Sequence, residues 1–258
     1  MITSASNQQL KNLSALMKKP KERKEQKSFV IEGTKMFLEA PPEWVQKVYV
    51  SETFQKENSH QAFIEPYDFE VVSDSAFHAV SDTKTPQGIL AVLRMPEYDW
   101  EELMAGADTH LLVLESIQDP GNLGTMLRAG EGAGITGVVM NRTTADLFNP
   151  KTIRSTMGSI YRVPYYICDD LGEMIDKAKV SGVHFYAGHL KGSYLYDEPD
   201  YRQATGFLIG NEGSGLTDEL AEHADAYVRI PMAGKVESLN AAISASLLMY
   251  ECSRQRRN

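Results

Sequence analysis

Three short strings in the second half of this 258-residue chain hold residue types that could do chemistry together. In the first, Asp119-Pro120-Gly121-Asn122-Leu123-Gly124 is followed by Arg128. Pro120 biases Asp119 away from helix, and Asn122 is a suitable N-cap for the helix that follows. Arg128 then lies about 9 Å along the axis from that cap, at 1.5 Å per residue. A guanidinium there can face a phosphate or another anion. The second, Gly210-Asn211-Glu212-Gly213-Ser214-Gly215-Leu216, sets a carboxylate among glycines behind an apolar run. The carboxyl end of a strand is where ligands enter open α/β sheets. The third, Ile230-Pro231-Met232 and then Ser238-Leu239-Asn240, joins a strand to the last helix. Ser238 reads as its N-cap, and Asn240, a poor helix former, as an oddity just inside it. Singly, each string also has a plain structural reading: a capped helix with a surface arginine, a glycine-rich turn that happens to hold an acid, and a cap with a first-turn polar residue.

Other chemistries lack their residues. Gly132-Ala133-Gly134-Ile135-Thr136-Gly137 spells a dinucleotide fingerprint, but it ends a helix and precedes a strand. The pyrophosphate mechanism needs the opposite order, so these glycines read as C-cap and turn. There is no phosphate-binding GxxxxGK[ST] loop and no GxSxG nucleophile elbow, and the six histidines show no metal-ligand spacing.

The strings need elements to position them. Apolar strand-like runs fall at 111–115, 137–141, 183–188, 206–210 and 227–232, with 161–168 extended. Helical patterns fall between them at 123–134, 150–159, 171–182 and 216–224, and the chain closes on a long helix at 238–257. Leu239, Ile243, Leu247 and Tyr250 line one face of that helix. Strand and helix alternating this way predict an α/β fold, a mostly parallel sheet with helices on both faces. Ahead of it, a helix at 7–19 stops before Pro20, and short strands at 28–33, 47–52, 69–73 and 88–94 alternate with helix, 34–40 among them, in a smaller α/β domain. The expected division is 1–95, a linker at 96–109, and 110–258.

Charge is unevenly spread. Residues 1–30 carry seven Lys or Arg against two Glu, a net of +5, so the remaining 228 residues carry −14 of the overall −9. Lys18, Lys19, Lys21, Arg23, Lys24 and Lys27 form a basic arm suited to phosphates; a solvated lysine-rich helix is the plainer alternative. Arg254, Arg256 and Arg257 read as a solvated helix end. Two cysteines, Cys168 and Cys252, read as reduced thiols in a cytoplasmic protein. No signal segment and no apolar run of membrane-spanning length is seen.

Taken together and in this order, DPGNLGTMLR, GNEGSGL and IPMAGKVESLN resemble the three motifs of the SpoU family of RNA ribose 2′-O-methyltransferases, in the SPOUT class. The resemblance covers roughly 110–252. NQQLKNLSAL, FVIEGTKMFLEA and TPQGILAV resemble the substrate-binding domain appended in that family, which is related to a ribosomal RNA-binding protein. The resemblance implies a carboxyl-terminal trefoil knot, a homodimer and S-adenosylmethionine as cofactor, with neither metal nor membrane. It places Gly210, Ile230, Met232, Ser238 and Leu239 around the cofactor and Arg128 at the catalytic centre, with Asn122, Glu212 and Asn240 positioning Arg128, the nucleotide and the cofactor, or, as an alternative, Glu212 mainly orienting Arg128. It makes the basic arm an RNA contact. The implied reaction is methyl transfer to a ribose 2′-hydroxyl of structured RNA, 23S ribosomal RNA first. Transfer RNA is the alternative substrate, and a non-catalytic ribosome-assembly factor the rival function.

Overall fold

Helix and strand alternate from the amino terminus and close on a small mixed sheet. The computed structural model describes residues 1–57, 62–104, 106 and 108–257, which fall into two compact units. The first unit opens with α1 (Gln8–Lys18), capped by the Asn7 side chain on the Gln9 amide. Leu10, Leu13, Leu16 and Met17 recur along one face and are buried, each contributing about 1.5–3 kcal/mol if fully removed from water. Then follow α2 (Pro20–Gln26), β1 (Ser28–Glu32), α3 (Thr34–Glu39), β2 (Val45–Ser51), α4 (Glu52–Lys56), β3 (Phe69–Val72), α5 (Asp74–Val80) and β4 (Ile89–Arg94). The sheet order is β1-β4-β2-β3, with β4 antiparallel to both neighbours and β3 parallel to β2.

The second unit holds α6 (Trp100–Leu103), β5 (His110–Leu114), α7 (Pro120–Ala133) and β6 (Gly137–Asn141). The chain then lends residues Asp146–Tyr161, which contain α8 (Pro150–Thr156), to the first unit. There Phe148 packs on Phe29 with ring centroids 4.7 Å apart, and the Tyr161 hydroxyl donates to the Met36 carbonyl at 2.9 Å. The second unit resumes with β7 (Tyr165–Cys168), α9 (Leu171–Val180), β8 (His184–Gly188), β9 (Tyr194–Leu195), β10 (Thr205–Ile209), α10 (Asp218–Ala221), β11 (Ala226–Arg229) and α11 (Ala241–Arg256).

Its seven strands run in the order β7-β6-β5-β10-β8-β11-β9, with every pair parallel. The sequence-based parallel sheet is therefore present. β5 and β10 are buried along their whole length, as continuous apolar runs in a parallel sheet must be. From β5 the chain builds outward through β6 and β7 on one side and through β10 and β8 on the other. The loops leaving β5 and β10 thus diverge at a topological switch point, where open sheets bind ligands.

Several boundaries move. The strand expected at 227–232 ends at Arg229, which leaves Ile230, Pro231 and Met232 in a loop. The helix expected at 216–224 shrinks to α10. Gly134 caps α7 at a φ of +78° and Gly137 opens β6, so the dinucleotide-like string is a cap and a turn. Both cysteines are buried and free. Among the described residues, no helix is long and apolar enough to cross a membrane.

Candidate active site

The first turn of α7 sets the geometry. Proline fixes φ near its helical value and lacks the amide that a first turn leaves unbonded. Pro120 therefore opens the helix earlier than expected, and the cap is Asp119, whose side chain accepts from the Asn122 amide at 2.9 Å. Asn122 is thus the third helical residue rather than the cap, and its side chain is free for other work. Its Nδ2 donates to Glu212 Oε1 at 3.0 Å, and its Oδ1 accepts from Asn240 Nδ2 at 3.0 Å.

Asn240 is also reassigned. It stands before α11, not inside it, and caps the helix by accepting from the amides of Ala242 and Ile243 at 2.9 and 3.3 Å. Asparagine is among the favoured N-caps, which removes the oddity of a poor helix former in the first turn. Ser238, the expected cap, lies two residues before the actual cap, Asn240, and is exposed. The bonded chain Glu212–Asn122–Asn240 therefore joins the loops after β5 and β10 to the start of the last helix.

Glu212 has two further donors, the amides of Gln118 to Oε2 at 2.9 Å and of Asp119 to Oε1 at 3.0 Å. Burial pushes its carboxyl up, but the Asn122 side chain and these two amides outweigh that, and the net shift is below the usual carboxylate value. The loop carrying Glu212 is itself tightly closed. Asn211 and Gly215 exchange backbone bonds at 3.0 and 2.9 Å. A Cβ on Gly210 would stand 2.1 Å from the Gly215 carbonyl carbon and the Leu216 nitrogen, so only glycine fits. Glu115, at the end of β5, pins the far side by accepting from the Thr217 amide and hydroxyl at 2.8 and 2.7 Å.

Of the residues expected around a cofactor, Gly210 is buried, Ile230, Met232 and Leu239 are half-buried, and Ser238 is exposed. No hydrogen bond joins Ile230, Met232, Ser238 or Leu239 to Gly210; their two loops meet through Asn240, Asn122 and Glu212. Among the described residues, no hydrogen bond uses the backbone amides of 232–239. Half-buried apolar side chains beside unused backbone donors and acceptors fit an adenosine-bearing ligand.

Arg128 stands apart. Six residues after Asn122, it is turned by about 240° around the helix axis at 3.6 residues per turn. It is exposed, and among the described residues it makes no hydrogen bond or ion pair, with Glu212 or any other group. The expected Glu212–Arg128 contact is absent from the chain as it stands.

The basic arm divides. Lys18, Lys19, Lys21, Lys24 and Lys27 are exposed. Lys21 lies 3.7 Å from Glu25 and Lys27 2.6 Å from Glu97, both as surface pairs. Arg23 does not belong with them. It is 1% exposed, and its guanidinium bonds the Leu16 and Met17 carbonyls at 2.5 and 3.0 Å and Asp146 Oδ2 from Nε at 3.0 Å and Nη2 at 2.5 Å. It closes off carbonyls that the last turn of α1 leaves without helical partners, so it is not offered to RNA. Arg256 likewise is no solvated end: it donates to the carbonyls of Tyr201, Asp108, Thr109 and Gln203. Among the described residues, no cluster of three or more His, Cys, Asp or Glu could hold a metal.

Parallel sheet, switch-point loops and bonded motifs define a methyltransferase-like α/β domain with an appended unit. Residues 109–250 match the SpoU rRNA Methylase family, and residues 7–91 match an MRM3-like substrate binding domain. The chain belongs to the SpoU rRNA methylase family. It is 38% identical over 251 residues to RlmP of Bacillus subtilis (strain 168), a 23S rRNA (guanosine(2553)-2′-O)-methyltransferase, across 96% of this chain and 97% of that protein. Its structure is similar to that of the SpoU methyltransferase AviRb from Streptomyces viridochromogenes in complex with AdoMet, with a TM-score of 0.89 at 25% identity over 98% and 99% of the two chains. It is also similar to an AdoMet-bound rRNA methyltransferase from Sinorhizobium meliloti, with a TM-score of 0.86 at 30% identity over 98% and 97%.

Proposed function

We propose that this protein transfers a methyl group from S-adenosylmethionine to a ribose 2′-hydroxyl of 23S ribosomal RNA. The observation that carries the reading is the bonded convergence of Asn122, Glu212 and Asn240 at the switch point of a parallel sheet, in a chain of the SpoU family. The relative RlmP, similar across both units, makes the guanosine in its name the first nucleotide to examine.

The cofactor, when bound, supplies an activated methyl group on sulfonium sulfur. The chain must hold it, align the ribose and favour loss of the hydroxyl proton. Ile230, Met232 and Leu239 wall the adenine, and the unused backbone groups of 232–239 meet its polar edges. Glu212, kept ionised by three donors, is a poor proton acceptor and instead fixes Asn122. Arg128 carries a guanidinium, which is a poor base. Its free guanidinium stabilises the developing alkoxide or grips the adjoining phosphate. Lys18, Lys19, Lys21, Lys24 and Lys27 add phosphate contacts, and the 2′-hydroxyl itself selects RNA over DNA.

The same reading includes a homodimer. Ile243 and Tyr250 are 49% and 47% exposed on one side of α11, with half-buried Leu247 between them. That stripe suits a second copy, and Ile243→Glu is expected to shift a dimer to monomer in sedimentation. The family's carboxyl-terminal knot also belongs to this reading. Pulling the chain from both ends would leave a knotted polymer shorter than its contour length.

The test is direct. Ribosomal RNA from cells lacking the gene is incubated with purified protein and labelled cofactor, and ribose methylation is mapped. Label at one nucleotide of 23S RNA is the expected result. Label in transfer RNA alone would move the substrate, and cofactor binding without any transfer would leave an RNA-binding assembly factor.

A further inference from the structure

The turn after β5 passes through Ser116, whose φ of +56° lies in the left-handed region that L side chains rarely adopt. A residue stays there only where its surroundings over-determine it, and here they come from three stretches of chain. Asn141, the last residue of β6, accepts from the Ser116 amide at 2.9 Å and donates to its hydroxyl at 3.1 Å. Asn211, next to Gly210, donates to the Ser116 carbonyl at 2.8 Å, while its Oδ1 accepts from the amides of Gly213 and Ser214 at 2.8 and 3.1 Å. The Gln118 side chain bonds the same Ser116 carbonyl at 3.0 Å and the Thr143 carbonyl at 2.9 Å. The Thr143 hydroxyl meets the Ser116 hydroxyl at 2.7 Å.

Just beyond Ser116, the same turn presents the Gln118 and Asp119 amides to Glu212. Asn211 immediately precedes Glu212. Ser116 is therefore where the two halves of the Glu212 contact, the donor turn and the acceptor loop, are locked to each other. Asn141 and Asn211 each use both ends of the carboxamide, one bond type on either side, which an apolar or singly bonding residue cannot reproduce.

We propose that Asn141 and Asn211 are positioning residues: by holding Ser116 in its left-handed turn, they aim the Gln118 and Asp119 amides at Glu212 and so set the Glu212–Asn122–Asn240 chain. They act through Ser116. The role rests on the methyltransferase reading, because the constellation they set is the one assigned to transfer. A local misplacement there lowers turnover more than binding, since alignment is what the chain contributes to the methyl-transfer step.

The experiment compares wild type, Asn141→Ala, Asn211→Ala and the double variant Ser116→Gly/Asn141→Ala, using 23S RNA and S-adenosylmethionine. For each single variant, kcat is expected to fall about tenfold or more while the KM for RNA and the cofactor Kd move less than about threefold. Glu212, followed by carboxyl NMR, is expected to titrate at higher pH as its amide donors drift away. Glycine adopts a positive φ freely, so the double variant is expected to recover kcat at least about threefold over Asn141→Ala. Equal losses in kcat and cofactor binding, with a lowered Tm and no recovery by glycine, would mean ordinary structural support and overturn the proposal. Unchanged kcat with unchanged Glu212 titration overturns it as well. If wild type transfers no methyl group, the methyltransferase reading fails, while the Glu212 titration in the variants still decides whether Asn141 and Asn211 set its donors.

Discussion

Two arginines, one expected in an RNA-contacting arm and the other at the catalytic centre, end in opposite states. Arg23, in the amino-terminal unit, is buried, and its donors are taken by Asp146 and by the Leu16 and Met17 carbonyls. Arg128, in the carboxyl-terminal unit, is exposed and, among the described residues, bonded to nothing. A guanidinium whose hydrogen bonds are filled by its own chain has been used for folding. One held on a rigid helix with its fork empty is available to an anion that arrives later. The two units thus spend the same chemistry differently, and the difference can be attacked from either side.

The largest effect is expected from the free arginine. Arg128→Ala should cut kcat by roughly 10²–10³-fold, the usual cost of losing one preorganised group aimed at developing charge. Tm and cofactor affinity should stay close to wild type, because nothing in the folded chain leans on Arg128. Arg128→Lys should restore little, since an ammonium lacks the planar fork. Single-turnover methyl transfer with calorimetry on the cofactor checks this, and loss of cofactor binding in parallel would break the contrast with Arg23.

Arg23→Ala should do the reverse. It strands the Asp146 carboxylate and two buried carbonyls, at a cost of about 3 kcal/mol. Thermal unfolding followed by circular dichroism should move down by roughly 10 °C. At temperatures where the variant remains folded, kcat should be near wild type. A large loss of turnover at full folding would mean that Arg23 does more than hold its unit together.

What could be read in advance follows the range of the interactions. β5 and β10 are legible because a strand buried on both faces must be largely apolar, and residues 111–114 and 206–209 are. The roles of Asn122 and Asn240 were half legible: both were seen as helix-start residues, but a shift of a few residues in each helix start decides whether the side chain caps or reaches out. Pro120 held the signal for the first, since proline favours the first helical position and makes Asp119 the cap. Arg23 is not told apart in the sequence because five lysines around it share its charge, and only the fold tells which cation meets Asp146, 123 positions away. The lodging of 146–161 with the amino-terminal unit had no local signal at all. It depends on long-range contacts such as Phe148 on Phe29 and Tyr161 on Met36.

A buried polar group of another kind sharpens the comparison. His110, 1% exposed at the start of β5, has an Nε2 with no partner among the described residues. Burial first, and the nearby Arg256 charge second, push its pKa down to about 3 from 6.5. The folded chain therefore keeps the imidazole neutral where the unfolded chain takes up a proton. Stability is unaffected above pH 6.5 and falls as pH drops below it, until the folded state also titrates near 3. Between pH 6.5 and 5 the loss should be about 2 kcal/mol, at 1.4 kcal/mol per pH unit. His110→Phe, which also keeps the ring contact with Phe207, should flatten that slope in urea titrations at several pH values. An unchanged slope would show that other groups carry it.

The smallest expected effect lies with the exposed lysines, which resemble Arg128 in exposure. Lys18, Lys19 and Lys24 are exposed, and among the described residues none makes an ion pair. If they meet RNA phosphates, each contact releases condensed counterions, and the slope of log affinity against log salt should fall by about 0.7–0.9 per lysine removed. The triple alanine variant should then bind 23S RNA more weakly by a factor that shrinks as salt rises, with Tm and saturated kcat unchanged. Filter binding at four salt concentrations reads this slope. A parallel displacement with no change of slope would take the three lysines off the RNA and leave them as a solvated face of α1 and α2, and Arg128 would then be the one cation of this comparison that the substrate uses.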